Sequence, residues 1–371
     1  MTAIIDKLLD ERGGLCLSLI TTAHRTSPER RMGPILMKQS VEKAVTLINT
    51  NYASHPDKNI LIRNLHRMKE TIDYNHLKEG LGLFISKDIH ELIHFPFPVT
   101  DKVEVDDRFL LRDLQYLRQV KKEYLVLSVG KKKLRAFRGN GEYLAEIINN
   151  DFPVIFHDDY DYARSVRGTS FGLNAGKDFE KDKSIVKQIR MRDFYKSADQ
   201  LVHNNLKGDQ ELVVYGDQKE VSAYLEITQD KDKVVDKVFS RYGAKGDTQL
   251  KSMAKIKIKN SQKESHKKLI EAIREFPVQK VAIGLGNIWK AAYLGKGHQL
   301  VVEKDYTIHG YLSSDGSKLK LRRPRSKDSY VFIKDAVENV LKLVKDLSGE
   351  IIFLDNDELK DLDRIALIKR Y

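Results

Sequence analysis

Short apolar runs of strand length recur along the whole 371-residue chain, and stretches of helical periodicity separate them. Only a layered α/β arrangement buries both kinds of face at once. Residues 15–21 are almost continuously apolar, which predicts a strand covered on both faces, and a polar loop follows over 22–34. Leu36, Val41, Ala44, Val45 and Ile48, then Leu61, Leu65, Met68 and Ile72, keep the spacing of two helices. Residues 80–86 and 89–95 read as a strand pair turning at Lys87-Asp88, with Pro96 and Pro98 ending the second strand. A first domain closes near Val120.

The second unit opens on a hairpin, 124–129 and 134–138, with a basic turn at 130–133. Residues 158–184 carry glycines at 168, 172 and 176 and no apolar periodicity, so they read as an exposed, mobile loop. A helix over 185–206, a buried strand at 212–215 and a short helix over 220–227 complete this unit. The third begins near Asp247 with a basic helix running to Phe276. A second helical pattern covers 278–294, a strand 298–304, and a hairpin with a basic tip 306–327. Ile333, Ala336, Val337, Val340, Leu341, Val344 and Leu347 draw one apolar face over 330–347, closed by Ser348-Gly349. Residues 350–354 and 364–368 end the chain as strands. The expectation is three layered α/β domains, 1–120, 121–246 and 247–371.

The chain exceeds what one hydrophobic core serves, so several domains agree with its length. A single cysteine, Cys16, sits inside the first strand and excludes an internal disulfide. Residues 1–12 form a charged amphipathic segment without a signal core, and no run reaches the ~20 apolar residues of a membrane span, so a cytoplasmic location without membrane contact is expected. The net charge of +12 is concentrated. Lys131, Lys132, Lys133, Arg135 and Arg138 form one cluster. Lys251, Lys255, Lys257, Lys259, Lys263, Lys267 and Lys268 form another, and Lys318, Lys320, Arg322, Arg323, Arg325 and Lys327 a third. Each would meet phosphate favourably, although lysines also decorate solvated helix faces.

His90, Glu91 and His94 spell the H-E-x-x-H pattern of zinc peptidases, which would make a metal-dependent hydrolase. That chemistry requires a helix, where four residues advance roughly 6 Å and two imidazoles converge on one ion. On the strand expected here the same residues span about 13 Å. No metal is therefore expected. Gly284-Leu-Gly286 lacks the third glycine of a dinucleotide loop and does not read as opening a helix after a clear strand; no P-loop or nucleophile elbow occurs. Asp106-Asp107 and Asp158-Asp159 read as turns and caps. No cofactor is called for.

Several blocks in fixed order carry a family likeness. They are the strand and loop over 17–31 with Thr22, His24, Arg25, Thr26, Pro28 and Glu29, the strand pair after Gly80, and Asp107-Arg108-Phe109 with Leu114. The opening 124–137 and the ending 349–354 with Ile365, Ala366, Leu367, Ile368, Arg370 and Tyr371 continue the order. The chain resembles the bacterial archaeo-eukaryotic release factor-like proteins, relatives of the archaeal and eukaryotic peptide-chain release factor and of Pelota. The resemblance implies a first domain directed at the decoding centre, a middle domain carrying a loop to the peptidyl-transferase centre, and a third meeting a translational GTPase. It implies the ribosome, through ribosomal RNA at the aminoacyl-tRNA site, as partner.

Departures from the family bear on chemistry. The sequence holds no Gly-Gly-Gln, the tip with which release factors hydrolyse peptidyl-tRNA, and no Asn-Ile-Lys-Ser for codon reading. The corresponding loop offers Arg164, Arg167, Gly168, Thr169, Ser170, Phe171, Asn174 and Lys177, which suit RNA phosphates and bases. His24, Arg25, Lys131, Lys132, Lys133, Arg322, Arg323 and Arg325 are further candidate RNA contacts. The expected function is a non-catalytic ribosome-associated factor of stalled or dormant ribosomes. A zinc hydrolase and a general RNA-binding module are the alternatives.

Overall fold

The computed structural model describes residues 2–23, 32–141, 143–157, 174–208, 210–239, 247–324 and 330–370, with Thr2, 174–184, 247–249 and Lys251 described by backbone alone. The chain forms two compact units, one of residues 1–120 with 270–371 and one of 121–269. These units do not coincide with a three-way division at 120 and 246, which stands as a proposal about separable folding.

The first unit opens with α1 (Thr2–Asp10), β1 (Cys16–Thr22), α2 (Gly33–Asn51), α3 (Lys58–Glu70), β2 (Gly80–Ile85), β3 (His90–Phe95), β4 (Lys102–Asp106) and α4 (Arg112–Val120). The four strands make an antiparallel sheet in the order β3-β2-β1-β4. Leu17 and Leu19 pack beneath Met37, Val41, Ala44 and Leu61 of α2 and α3, while Cys16 and Ile20 face Ile5, Leu8 and Leu114 of α1 and α4. This two-sided cover is why β1 is apolar throughout. Burial pushes the Cys16 thiol up to about 12, with nearby Glu11 adding to the effect, so it is an inert core group. Gly82 is required by ring packing: a Cβ there would lie 2.7 Å from the Phe84 ring and 2.8 Å from that of Phe95.

The second unit contains β5 (Glu123–Val129), β6 (Lys133–Asn140), β7 (Tyr143–Glu146), β8 (Val154–Ile155), α5 (Asn174–Asn205), β9 (Glu211–Gly216), α6 (Gln218–Ile227), β10 (Val234–Phe239) and the start of α7 (Asp247–Glu275). Its sheet runs β10-β9-β5-β6-β7, with β8 beside β6. β10, β9 and β5 are parallel, and β6 and β7 continue antiparallel. Tyr195, Ala198 and Val202 of α5 and Val221 and Tyr224 of α6 cover one face. Leu250, Ala254 and Ile258 of α7 cover the other, against Val126, Val213 and Val238.

α5 begins at Asn174, which corrects the loop expected up to 184: residues 174–184 are helical. Phe179 is the one large apolar residue of that segment, so it offers no apolar period, but Ala, Lys and Glu favour helix without one. The remainder of the loop, 158–173, lies outside the described residues.

The first unit resumes with the end of α7, then β11 (Val281–Ile283), α8 (Leu285–Tyr293), β12 (Gly297–Glu303), β13 (Gly310–Ser313), β14 (Leu319–Lys320), β15 (Tyr330–Ile333), α9 (Ala336–Asp346), β16 (Glu350–Leu354) and β17 (Ile365–Lys369). One sheet runs β11-β17-β12-β16 and a small one β14-β13-β15. The helix expected over 278–294 is instead strand β11 and helix α8, and Gly284 stands between them with φ +79°. Gly284-Leu-Gly286 thus does join a strand to a helix, contrary to the sequence reading, because the turn needs a left-handed residue that apolar spacing does not reveal. The helix expected from Tyr330 starts only at Ala336, because Asp335 caps it by accepting from the N–H groups of Val337 (3.0 Å) and Glu338 (3.2 Å). Its aromatic and β-branched prefix pairs with β13 instead. The tip of the 306–327 hairpin falls on Asp315-Gly316, so the basic residues follow the turn rather than form it.

Val337, Val340, Leu341 and Val344 bury the apolar face of α9 against Leu300, Val302 and Phe353. Full burial of such a side chain stabilises by about 1.5–3 kcal/mol. α9 also meets the first 120 residues through charge. Glu338 accepts from the N–H of Leu111 at 2.5 Å, Arg112 donates to Asp335 (2.7 Å) and to the Tyr306 carbonyl (2.6 Å), and Lys342 donates to Asp106 (2.5 Å). Arg108 reaches both carboxylate oxygens of Asp346, at 2.8 and 2.7 Å. The amide of Gln119 bonds both the N–H and the C=O of Phe353, so α4 borders β16 much as another strand would.

Candidate nucleic-acid interface

In the second unit the turn between β5 and β6 is closed by the Gly130 N–H donating to the Lys133 carbonyl (3.1 Å). The Phe156 N–H donates to the Lys132 carbonyl (2.9 Å), pinning the same turn to the end of β8. Lys131, Lys132 and Lys133 are all exposed there, and Lys131 Nζ stands 3.9 Å from Glu220. Arg135 is used internally, in an ion pair with Glu146 (2.5 Å) and over the Phe137 ring. Three of the five cations expected in this cluster therefore face solvent as a group.

Aromatic contacts that apolar periodicity does not reveal join the end of β8 to α5 and α6. Phe156 meets Phe194 of α5 edge-on at 5.4 Å, Phe194 meets Tyr195, and Tyr195 meets Tyr224. The Arg190 guanidinium lies over the Phe156 ring at 5.7 Å and donates to the His157 carbonyl at 3.2 Å. Burial pushes the Tyr195 and Tyr224 phenols up, and Tyr224 donates to Asp199 at 2.7 Å, so both are neutral structural groups. Asn174 and Lys177 fall on the first turns of α5. Arg164, Arg167, Gly168, Thr169, Ser170 and Phe171 lie outside the described residues, as do His24, Arg25 and Arg325.

α7 carries a longer row. Lys255, Lys259, Lys263 and Lys267 are exposed at four-residue intervals, roughly 6 Å apart along the axis, and Lys268 is exposed beside them. Glu264 is the one acid in 252–268. Lys257 differs, since it pairs with Asp236 at 3.0 Å on the sheet side. Arg322 and Arg323 are exposed in the first unit, just past β14.

His90, Glu91 and His94 lie on β3, in register with Ile85, Phe84 and Leu81, as a strand was expected to place them. His90 Nε2 is 2.6 Å from the amide nitrogen of Asn64. Among the described residues no group of three or more His, Cys, Asp or Glu could hold a metal ion. Elemental analysis of the purified protein is expected to find less than stoichiometric zinc. One zinc per chain, lost in both His90→Ala and His94→Ala, would overturn this.

Residues 123–296, spanning the lysine turn, the aromatic contacts and the α7 row, match the model of bacterial archaeo-eukaryotic release factor family 3. The release factor-like resemblance read from the sequence holds. Similar solved structures include an archaeal translation termination factor, aRF1, at 13% identity over 100% of this chain and 96% of that one, with TM-score 0.25. Dom34 of S. cerevisiae, a translation termination-like factor involved in RNA quality control and interacting with Hbs1, is 11% identical over 78% of this chain and 73% of its own, with TM-score 0.40. Pelota of Archaeoglobus fulgidus is 13% identical over 79% of this chain and 84% of its own, with TM-score 0.31. No curated protein matches the sequence. Among the described residues no helix is long and apolar enough to cross a membrane.

Proposed function

We propose that the protein is a non-catalytic ribosome-binding factor that occupies the aminoacyl-tRNA site of stalled or dormant ribosomes. The observation that carries this reading is that the release factor family match, 123–296, contains the exposed lysines of the β5–β6 turn and of α7. Phosphate contact by such groups supplies affinity without chemistry. The sequence has no Gly-Gly-Gln, so occupancy rather than peptide release is the action proposed. Arg164, Arg167, Gly168, Thr169, Ser170, Phe171, Asn174 and Lys177 would contact RNA near the peptidyl-transferase centre. His24, Arg25, Lys131, Lys132, Lys133, Arg322, Arg323 and Arg325 would contact it elsewhere, with a translational GTPase as accessory partner in the cytoplasm.

Cosedimentation with ribosomes from growing and starved cells tests the reading, alongside a peptidyl-tRNA hydrolysis assay. The protein is expected to sediment with ribosomes and to release no peptide. RNA binding without ribosome binding would leave a general RNA-binding module, and peptide release would end the non-catalytic reading. In the same assay, replacing Arg164, Arg167 and Lys177 together with alanine should weaken binding and flatten its salt dependence by roughly one unit of slope per lost contact. Binding equal to the parent at every salt concentration would remove these three residues from the interface.

A further inference from the structure

The small sheet of the first unit has two unlike faces. Tyr311 of β13 stands opposite Lys320 of β14 on one side and Phe332 of β15 on the other, and residues directly opposite across a ladder share a face. His309 and Tyr330, each two residues along from a member of this row, belong to the same face. Leu312, Leu319 and Ile333 lie on the other face and pack into the core beneath α8 and α9.

The outer row is aromatic and cationic. The Phe332 ring is 5.6 Å from that of Tyr311 at 64° and 6.0 Å from that of His309 at 36°, and Lys320 Nζ sits 4.8 Å over the Tyr330 ring. Phe332 is nonetheless 55% exposed. Lys318, Arg322, Arg323 and Lys334, on or next to β14 and β15 in the sequence, are exposed too. Asp315, at the β13–β14 turn, is engaged by the N–H and hydroxyl of Ser317 at 3.1 and 2.7 Å.

We infer that this face, built on His309, Tyr311, Lys320, Tyr330 and Phe332, is a stacking platform for unpaired bases of single-stranded RNA. Flat rings held rigidly on strands stack on any base, and flanking cations take the backbone. An apolar protein partner would not call for five cations on or next to the strands that expose one phenylalanine. The RNA class of partner rests on the ribosome-binding reading, but the surface is a different one.

Fluorescence anisotropy with a labelled eight-nucleotide oligouridine tests it on the full chain, with ribosome cosedimentation measured in parallel. Phe332→Ala should weaken oligonucleotide binding about ten-fold. Phe332→Tyr keeps the ring and should bind like the parent, which separates stacking from any disturbance of the sheet. Equal binding by Phe332→Ala and parent, or no binding by the parent, overturns the platform, the second being what a protein-docking face would give. Should the parent bind RNA through Phe332 but not sediment with ribosomes, the platform stands and the ribosomal reading fails. Sedimentation without oligonucleotide binding gives the reverse.

Discussion

Arg112→Ala is expected to destabilise the first unit by about 3–5 kcal/mol, the usual cost of leaving one member of a buried ion pair alone. Arg112 is buried, its guanidinium held by Asp335 and by the Tyr306 carbonyl, with Glu338 at 3.9 Å. Burial already holds the Glu338 carboxyl above the usual carboxylate range, and Arg112 opposes that rise. Without the guanidinium the rise grows. A raised carboxylate is protonated in the folded state over a pH range where the unfolded chain has lost its proton, so stability falls as pH rises through that range. The deficit of the variant should therefore be smaller in mild acid than at neutral pH. Adding Glu338→Gln should recover part of the loss, since the two residues act as a pair. Trp289, the single tryptophan and part of the core of this unit, reports its denaturation by urea. An unchanged midpoint in Arg112→Ala would show that the pair adds nothing to the fold.

A quadruple variant, Lys255, Lys259, Lys263 and Lys267 each to alanine, is expected to lose most of its salt-dependent ribosome affinity. At about 0.7–0.9 units per phosphate, four lost contacts lower the slope of log affinity against log salt by about three units. The parent's advantage would then shrink by about sixty-fold between roughly 50 and 200 mM salt. Alanine favours helix and these side chains are exposed, so melting temperature should hold. Sedimentation across a salt series measures the slope. A slope unchanged from the parent would take the α7 row out of the interface, leaving the β5–β6 turn and the 158–184 segment to account for binding.

What the sequence made legible follows from what apolar pattern encodes. β1, the β2–β3 pair and the β5–β6 hairpin stood where alternation and turn residues placed them, because each strand meets its neighbour through a short local connection or is covered on both faces. α5 starts earlier than expected because residues 174–184 carry no apolar periodicity in the sequence. β11 and β15 were absorbed into the helices that follow them: three or four apolar residues fit either period, and the deciding signals were one left-handed glycine and one aspartate cap. The buried charges were invisible for another reason. Arg112, Glu338 and Lys342 look like surface residues in a chain that is one-third charged, and each is buried only because a partner distant in sequence meets it.

The compact unit that joins residues 1–120 to 270–371 has a consequence for the order in which a nascent chain acquires its structure. Synthesis proceeds from the N-terminus at about 5–20 residues per second, so the first sheet emerges and pairs within itself well before α9 exists. Asp106, Arg108 and Arg112 then wait, with their charges in water, while all of 121–269 is made and closes its own sheet. The ion pairs that tie residues 106–112 to α9 close only after Asp346 has left the exit tunnel. A chain halted before α9 is made would carry an N-terminal sheet that lacks the partners of Asp106, Arg108 and Arg112.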